Sequence, residues 1–508
     1  MTAERAGKVY LVGAGPGDPG LLTLKGRRCL EQADVVVYDA LANPRLLRHT
    51  RGGAELIYAG KRGGAHALPQ AEIEALLVQH ARAGRMVVRL KGGDPFLFGR
   101  GGEEAEALVA AGIPFEVVPG VSAAVAVPAY AGIPLTHREL TSTVAFITGH
   151  EDPAKDESRL DWGALAKGIG TLVFFMGVSR LPEIVRGLLE HGRSPDTPAA
   201  LIRWGTRAEQ AVVSGRLGDL VEKGRRVSPP ALIVVGDVVG LREKLAWTAA
   251  MPLFGKRVLI TRTREQASAL ADRLEAAGAE VIEFPTIAIA PPESWAPLDR
   301  ALAQLADYRC VILTSSNGVE ALRQRLRAAG ADARAFAGKL LVAIGPATAA
   351  ALEGLGLRAD LVPKEFTAEG LVEALGDRMA GARVLLVRAA EAREVVPQEL
   401  ASRGARVEVV PAYRTVMPDL DPEPVRAMLR DGQVHAVTFT SSSTVAHFVR
   451  MLGPEAAALL QRVAVASIGP ITAETADRHG ITTSIMPQRY TIPALTEAII
   501  AHFQMSRT

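Results

Sequence analysis

Residues 9–23, Val-Tyr-Leu-Val-Gly-Ala-Gly-Pro-Gly-Asp-Pro-Gly-Leu-Leu-Thr, contain the turn on which the fold of the first half depends. Val9 to Val12 are apolar and predict a short buried strand, and the glycines and prolines that follow predict a tight loop. A helix that packs back on this strand is indicated by Leu21, Leu22, Leu24, Cys29 and Leu30. The glycine loop is therefore expected at the carboxyl end of a parallel sheet, where open α/β sheets bind ligands.

A dinucleotide site is one interpretation of this loop. Asp39 closes an apolar run and stands about where such a site has its ribose-binding acid. However, Asp18 occupies the third glycine position of the fingerprint, and a carboxylate at the start of a helix repels a pyrophosphate. A ligand without phosphates fits better, and a nicotinamide-dependent oxidoreductase is kept as the alternative.

Composition places the chain among α/β proteins with several domains. Its 508 residues are too many for one core and predict roughly three or four domains. Hydrophobic residues make up 48% and aromatic residues only 5%, which is typical of a folded protein rich in Ala, Val, Leu and Gly. A net charge of +3 argues against a dedicated nucleic-acid binder.

The chain has two cysteines, Cys29 and Cys310, too few for a disulfide framework or a cysteine metal cluster. No bound metal is expected. The longest uncharged run, residues 117–136, is interrupted by prolines and glycines and does not predict a membrane span. The first residues contain no apolar signal core, so a cytoplasmic protein is expected.

Several motifs in a fixed order extend the pattern of the first loop. They are Gly-Ala-Gly-Pro-Gly-Asp (13–18), Leu-Leu-Thr-Leu-Lys-Gly (21–26), Lys-Gly-Gly-Asp-Pro-Phe-Leu-Phe-Gly-Arg-Gly-Gly-Glu-Glu (91–104), Val-Pro-Gly-Val-Ser-Ala (118–123) and Gly-Ile-Pro-Leu-Thr-His-Arg (132–138). With them the chain up to about residue 246 resembles the uroporphyrinogen-III C-methyltransferases. The resemblance implies transfer of two methyl groups from S-adenosyl-L-methionine to C2 and C7 of uroporphyrinogen III, giving precorrin-2. It also implies a homodimer. Siroheme synthases with an additional dehydrogenase and ferrochelatase module are related, and we expect those two steps to be carried out elsewhere.

The resemblance also assigns residues. Asp39 matches the family's proton acceptor and Lys61 its proton donor. The positions that match S-adenosylmethionine contacts are Pro16, Gly92, Gly93, Asp94, Leu97, Ser122, Ala123, Met176 and Gly205. From the residues alone, Met176 would be read as ordinary core packing. Five arginines could pair with the carboxylates of a tetrapyrrole, although the favoured interpretation of any single one is a surface charge: Arg89, Arg100, Arg138, Arg203 and Arg207.

The first half is predicted to contain two α/β subdomains, about 1–135 and 136–246. In the second subdomain, strands are expected near 144–148, 171–176, 199–204 and 231–235. Residues 247–254 have neither helical nor strand periodicity and predict a linker. A second half, 255–508, follows it.

The second half contains an internal repeat with an offset of 126 residues. Thr314-Ser-Ser-Asn-Gly-Val319 matches Thr440-Ser-Ser-Ser-Thr-Val445, and Arg262 matches Arg388. With a slip of two residues, Ile344-Gly-Pro-Ala-Thr348 matches Ile468-Gly-Pro-Ile-Thr472. The repeat predicts two similar α/β domains. Hydroxyls and free N–H groups at helix starts suit carboxylates, but Ser and Thr at such positions commonly only cap helices.

This half resembles uroporphyrinogen-III synthase. The resemblance implies a bilobal α/β fold, with one lobe from about 255–289 plus 414–508 and the other from about 290–413. It implies closure of hydroxymethylbilane to uroporphyrinogen III with inversion of ring D, in which Tyr413 could donate a proton to the leaving hydroxyl. A buried structural tyrosine is the competing interpretation of Tyr413. The substrate-binding candidates are Arg262, Arg388, Thr314, Ser315, Thr440, Ser441 and Ser442. The alternative is a non-catalytic tetrapyrrole-binding module that serves the methyltransferase.

Overall fold

The computed structural model of the chain describes residues 7–60, 68–149, 160–262 and 264–505, with the backbone alone at 264–268. It contains four β-sheets flanked by helices, so the predicted α/β class is confirmed. Chain contacts define two compact units. The first runs to Arg257 and adds Leu274–Glu280, and the second contains Val258–Arg273 and Val281–His502. The predicted domain and lobe boundaries stay predictions.

Helices cover both faces of the first sheet. Its strands are β1 (Lys8–Gly13), β2 (Val35–Tyr38), β3 (Glu55–Tyr58), β4 (Met86–Lys91) and β5 (Phe115–Val118). They are parallel, in the order β3-β2-β4-β1-β5. The helices are α1 (Leu24–Gln32), α2 (Gln70–Arg82), α3 (Gly101–Ala110) and α4 (Ala123–Tyr130). Val9 and Leu11 pack into one core and Val12 into the other, which explains why the strand is apolar throughout.

The second sheet is mixed. Its strands are β6 (Val144–Thr148), β7 (Thr171–Phe175), β8 (Pro198–Arg203), β9 (Ala211–Arg216) and β10 (Ala231–Val235), and its helices are α5 (Trp162–Gly168), α6 (Leu181–Glu190), α7 (Leu220–Lys223) and α8 (Arg242–Leu245). The order is β6-β7-β10-β8-β9, with β6 and β7 parallel and the other pairs antiparallel. The sequence predicted four of these strands and missed β9, an edge strand without a buried residue.

The segment predicted as a linker is partly ordered. Trp247–Ala250 forms one turn of 3-10 helix. The indole N–H of Trp247 donates to the Ala129 carbonyl and the Thr248 hydroxyl donates to the Tyr130 carbonyl, both at 2.9 Å. A single turn is too short to show the apolar periodicity by which a helix is recognised in sequence. The segment is thus anchored on helix α4.

The rest of the chain forms two further sheets. The strands are β11 (Arg257–Ile260), β12 (Glu280–Glu283), β13 (Ala288–Ala290), β14 (Cys310–Leu313), β15 (Leu340–Ala343), β16 (Arg383–Ala389), β17 (Arg406–Val416), β18 (Ala436–Phe439) and β19 (Ala464–Ser467). The helices are α9 (Arg264–Ala276), α10 (Ala296–Ala303), α11 (Ser316–Ala328), α12 (Pro346–Glu353), α13 (Ala368–Leu375), α14 (Val395–Ser402), α15 (Glu423–Arg430), α16 (Ser442–Leu452), α17 (Ala456–Leu459), α18 (Pro470–Arg478) and α19 (Ile492–Met505).

The two sheets interleave along the chain. One has the order β12-β11-β18-β19 and the other β13-β17-β16-β14-β15. The chain therefore leaves the first of them after β12, builds the whole of the other, and returns at β18. Within the described residues, no helix has both the length and the apolar character needed to cross a bilayer. Over the same residues, no three His, Cys, Asp or Glu side chains are grouped so that they could hold a metal ion.

Candidate functional site

Three loops meet at the carboxyl edge of the first sheet. The Gly15 and Gly93 backbones exchange two hydrogen bonds, of 2.8 and 3.2 Å, which join the loop after β1 to the loop after β4. The loop after β5 packs against both. A β-carbon at position 13 would lie 2.5 Å from the Gly120 Cα, a distance that side chains do not tolerate. Gly13 is therefore required for this close approach.

Asp94 fastens two of these loops. Its Oδ1 accepts a hydrogen bond from the Phe96 N–H at 2.8 Å, and its Oδ2 accepts one from the Gly120 N–H at 3.0 Å. The sequence suggested that this carboxylate meets a ligand. In the structure, each of its oxygens accepts a hydrogen bond from the backbone, so Asp94 stabilises the two loops at the edge of the sheet.

Next to this edge lies a cleft with a volume of about 460 Å³, within the range of small-molecule sites. Its walls come from both sheets of the first unit. All nine residues predicted from the resemblance to contact S-adenosylmethionine line it: Pro16, Gly92, Gly93, Asp94, Leu97, Ser122, Ala123, Met176 and Gly205. Residues that are far apart in sequence thus surround one cavity.

The cleft also contains aromatic residues that sequence reasoning missed. Phe98 and Phe175 line it with ring centroids 5.0 Å apart, and Trp204 stands at the end of β8. Phe98, Met176 and Trp204 have φ of 53°, 54° and 47°, in the left-handed region that residues other than glycine seldom adopt. Backbone strain of this kind collects at functional sites. Phe175, the last residue of β7, and Trp204, directly after β8, were the signals in the sequence that could have pointed to an aromatic wall.

Two ambiguities of the sequence are resolved by this geometry. Met176 is 51% exposed, so it is not the core residue that its apolar surroundings in sequence suggested. Asp18 caps the turn Pro19–Leu21 and accepts a hydrogen bond from the Tyr130 hydroxyl at 2.6 Å. Burial and this carboxylate raise the pKa of Tyr130. Asp18 is thus a structural residue of its loop.

Asp39 follows β2 and is held on both sides. Its Oδ1 accepts hydrogen bonds from the Leu41 and Ala42 N–H groups at 3.2 and 3.3 Å. Its Oδ2 lies 3.5 Å from Arg89 Nη2. The side chain of Asp39 is 28% exposed, and Leu41, two residues later, lines the cleft. Lys61, the predicted proton donor, lies outside the described residues.

Behind Asp39 is a buried group of charges. The Oε1 of Glu104 accepts hydrogen bonds from Arg89 Nε at 3.1 Å and from Lys91 Nζ at 2.6 Å. Burial lowers the pKa of Lys91, with the Arg89 charge adding to the effect and Glu104 opposing it. Arg89 is 3% exposed, so the expectation that it pairs with carboxylates of a bulky ligand is wrong. Its guanidinium instead connects Glu104 to Asp39.

In the second half, the two predicted Ser-containing loops begin helices. The Ser315 hydroxyl accepts from the Gly318 N–H at 3.1 Å, and the Ser441 hydroxyl accepts from the Thr444 N–H at 3.3 Å. They are the N-caps of α11 and α16. Ser442 donates to the Ile471 carbonyl at 3.3 Å. The helix-capping interpretation of these hydroxyls is therefore observed, and their role in substrate binding stays a prediction.

The repeat brings the same two loops together twice. The Ile344 N–H donates to the Leu313 carbonyl at 3.0 Å, and the Ile468 N–H donates to the Phe439 carbonyl at 2.9 Å. Thr314 directly follows Leu313, the last residue of β14, and Thr440 directly follows Phe439, the last residue of β18. In both sheets a Thr-Ser-Ser loop thus lies beside an Ile-Gly-Pro loop at the carboxyl ends of adjacent parallel strands.

The two arginines of the repeat differ in their surroundings. Arg388 is 6% exposed; its Nη1 donates to the Arg393 carbonyl at 2.7 Å, and its Nη2 pairs with Glu394. Burial lowers the pKa of Arg262. Tyr413 lies in β17 and packs against the core of its sheet, with its carbonyl accepting from the Ala390 N–H at 2.9 Å. Arg388, in β16, is thus engaged by the loop that follows its own strand.

Two known protein families match separate parts of the chain. The family Tetrapyrrole (Corrin/Porphyrin) Methylases matches residues 8–221, and the family Uroporphyrinogen-III synthase HemD matches residues 268–497. A porphyrin biosynthesis protein HemD of Ruminiclostridium josui is 37% identical over 97% of this chain and 98% of its own length.

Two further proteins match the first half. An S-adenosyl-L-methionine-dependent uroporphyrinogen III methyltransferase of Methanosarcina barkeri is 58% identical over 47% of this chain and 94% of its own length. A crystal structure of a uroporphyrin-III-C-methyltransferase from Thermus thermophilus is 47% identical, covers 47% of this chain and 97% of that one, and superposes with a TM-score of 0.40.

Proposed function

The chain belongs to the family of tetrapyrrole-biosynthesis proteins in which an S-adenosylmethionine-dependent tetrapyrrole methyltransferase is fused to a uroporphyrinogen-III synthase, and from this premise we propose its two reactions. The second half closes hydroxymethylbilane to uroporphyrinogen III with inversion of ring D. The first half then methylates this product at C2 and C7 to give precorrin-2. The observation that carries the proposal is the single cleft lined by all nine predicted methyl-donor contacts.

The cleft suits the methyl donor in size and chemistry. Aromatic and apolar side chains line it together with the glycines of its loops. A β-carbon on Gly205 would lie 2.4 Å from a Val127 methyl group, so a side chain there would intrude on this wall. When bound, S-adenosylmethionine supplies an electrophilic methyl group on a positively charged sulfur. The residues that would hold it are the nine named above.

Asp39 is proposed as the proton acceptor for the macrocycle. Methylation of a pyrrole carbon leaves a proton to be removed, and a carboxylate at the edge of the site can accept it. Two backbone N–H groups and Arg89 hold Asp39 with one side toward solvent. Lys61 is kept as the proposed proton donor. The homodimer also stays a proposal.

In the second half, the protein has to hold a flexible linear bilane in a curled form, since little covalent chemistry is required of it. The paired loops at the carboxyl edges of the two sheets supply hydroxyl and N–H groups twice, as a ligand with several carboxylates requires. Tyr413 is proposed as the donor to the leaving hydroxyl. Arg262 and the residues of the Thr-Ser-Ser loops are proposed to contact the substrate.

The test is anaerobic incubation of the full-length protein with enzymatically generated hydroxymethylbilane, with and without S-adenosylmethionine. Mass and isomer analysis should give uroporphyrinogen III without the methyl donor and a dimethylated product with it.

Asp39→Asn should abolish the dimethylated product while isomer III still forms, and Glu31→Gln is an exposed control on α1. If the assay without S-adenosylmethionine yields isomer I alone, the second half is the non-catalytic binding module. Saturable NAD binding without S-adenosylmethionine binding would favour the oxidoreductase.

A further inference from the structure

Two exposed aromatic side chains occupy equivalent positions of the repeat. Phe366 is 56% exposed and Tyr490 is 60% exposed. They lie in Pro-Lys-Glu-Phe-Thr (363–367) and Pro-Gln-Arg-Tyr-Thr (487–491), which are 124 residues apart. The glycines of the two Ile-Gly-Pro loops, Gly345 and Gly469, have the same separation. Each copy of the repeat thus has an exposed aromatic ring at the same distance in sequence from its Ile-Gly-Pro loop.

Each ring is held from both sides of its segment. On the N-terminal side, Leu361 forms a parallel bridge with Val342 of β15, and Ile485 forms one with Ala466 of β19. On the C-terminal side, the Thr367 hydroxyl accepts from the Gly370 N–H at 3.0 Å. The Thr491 hydroxyl does the same for the Ala494 N–H at 3.4 Å. The segments between these anchors are short, so the backbone at Phe366 and Tyr490 is held next to the sheet edge.

Each ring also lies against its glycine. A β-carbon at position 345 would lie 3.5 Å from the Phe366 Cβ, and one at position 469 would lie 3.2 Å from the Tyr490 ring. These glycines precede α12 and α18, whose starts have no side-chain cap. The aromatic side chains therefore stand at the carboxyl edge of each sheet, directly beside the Ile-Gly-Pro loop.

Packing alone does not account for these rings. A large aromatic side chain gains stability by removing its surface from water, yet more than half of each ring residue stays exposed. Both rings face the edge where α/β sheets bind ligands. A pyrrole is flat and has a π-face, which an aromatic ring can cover by offset stacking or by edge contact. A Thr-Ser-Ser loop on the neighbouring strand adds polar groups for the carboxylates around such a ring.

We propose that Phe366 and Tyr490 are a pair of substrate-binding residues, one in each lobe, whose ring faces pack against pyrrole units of the bilane and hold it curled for closure. The inference rests on the proposed synthase function of this half. It adds binding residues that lie outside the Thr-Ser-Ser loops and the arginines.

The experiment uses the full-length protein with the variants Phe366→Ala, Tyr490→Ala and the two combined. Each single variant should raise the KM for hydroxymethylbilane by about fivefold with little change in kcat, since an aromatic contact contributes on the order of 1 kcal/mol. The fraction of isomer III should fall as spontaneous closure to isomer I competes. Tyr490→Phe keeps the ring and should behave as the parent. Met505→Ala removes an apolar side chain that is 78% exposed and should have no effect.

Circular dichroism and the urea midpoint of the full-length protein, compared with the parent, show that each variant is folded. An unchanged KM in Phe366→Ala and Tyr490→Ala, or equal losses in Tyr490→Phe and Tyr490→Ala, overturns the inference. If the parent protein makes only isomer I, the synthase proposal has failed, and equilibrium binding of uroporphyrinogen III to the full-length parent and variants, which differ only in the second half, decides the matter. Weaker binding in the two alanine variants then supports the role of the rings, and unchanged binding rejects it.

Discussion

Lys91 Nζ lies 2.6 Å from Glu104 Oε1, and the two side chains are 4% and 0% exposed. The same oxygen also accepts from Arg89, whose far end lies 3.5 Å from Asp39. One buried carboxylate therefore balances two buried cations directly behind the proposed proton acceptor. The other oxygen of Glu104, Oε2, has no hydrogen-bond partner among the described residues.

Replacing Glu104 with Gln should be strongly destabilising. Two buried cations would lose their shared counter-charge, and breaking a buried ion pair costs about 3–5 kcal/mol. The measurement is the urea midpoint of the full-length protein followed by circular dichroism. Adding Lys91→Met to Glu104→Gln removes one of the unpaired charges, so the double variant should recover part of the loss.

Glu103 provides the matched control. It is the preceding carboxylate on the same helix, and it pairs with Arg100 at 2.6 Å with both side chains more than half exposed. Exposed ion pairs contribute about 0–1 kcal/mol, so Glu103→Gln should change the midpoint little. Equal shifts for the two variants would contradict the role assigned to the buried pair.

Gly205→Ala should weaken binding of the methyl donor. The new β-carbon would lie 2.4 and 2.6 Å from the two methyl groups of Val127, which is 4% exposed and cannot move away freely. Overpacking of this kind costs about 1–3 kcal/mol, so the Kd for S-adenosylhomocysteine should rise about tenfold or more. Calorimetric titration measures it.

The control for this substitution is Gly240→Ala. Position 240 has no atom within 4 Å of the added β-carbon, and the variant should bind S-adenosylhomocysteine as the parent does. Closure of hydroxymethylbilane should stay unchanged in both variants, because it belongs to the other half. An unaltered Kd in Gly205→Ala would show that this wall of the cleft does not contact the ligand.

Comparison of the structure with the sequence-based expectations shows which features could be predicted from the sequence. Strand β6 has the bounds that its apolar run predicted, although it is an edge strand in which only Ile147 is buried. Arg89 and Glu104 could not be paired in advance, because no periodicity marks two charges that become buried together. The left-handed backbone at Trp204 was equally hidden, because sequence signals for that conformation rest on glycine, asparagine and aspartate.

The two cysteines should be unreactive in the folded protein. Cys29 is 4% exposed and Cys310 is fully buried, and burial raises the pKa of both thiols, that of Cys310 to about 12. Because the thiolate is the reactive form, a chromogenic disulfide reagent should react with neither thiol until denaturant is added. The exposed variant Ser402→Cys shows that the reagent works, since its thiol should react at once. Rapid reaction of the parent protein would contradict the burial of these side chains.

Glu116 should make the folded state sensitive to acid. Side-chain hydrogen bonds from Lys25 and Lys8 lower the pKa of this carboxyl from 4.5 to about 2. A carboxyl with a lowered pKa stabilises the fold above its unfolded value, and this contribution is lost as the pH falls from about 4.5 toward 2. The urea midpoint of the parent should therefore fall more steeply between about pH 4.5 and pH 3 than that of Glu116→Gln.

The change should be smaller than that for Glu104, because these pairs are partly exposed and screened. Glu106 is exposed on α3, so Glu106→Gln should keep the parental dependence of the urea midpoint on pH. If Glu116→Gln shows the same dependence as the parent, Glu116 is not the cause of the acid sensitivity.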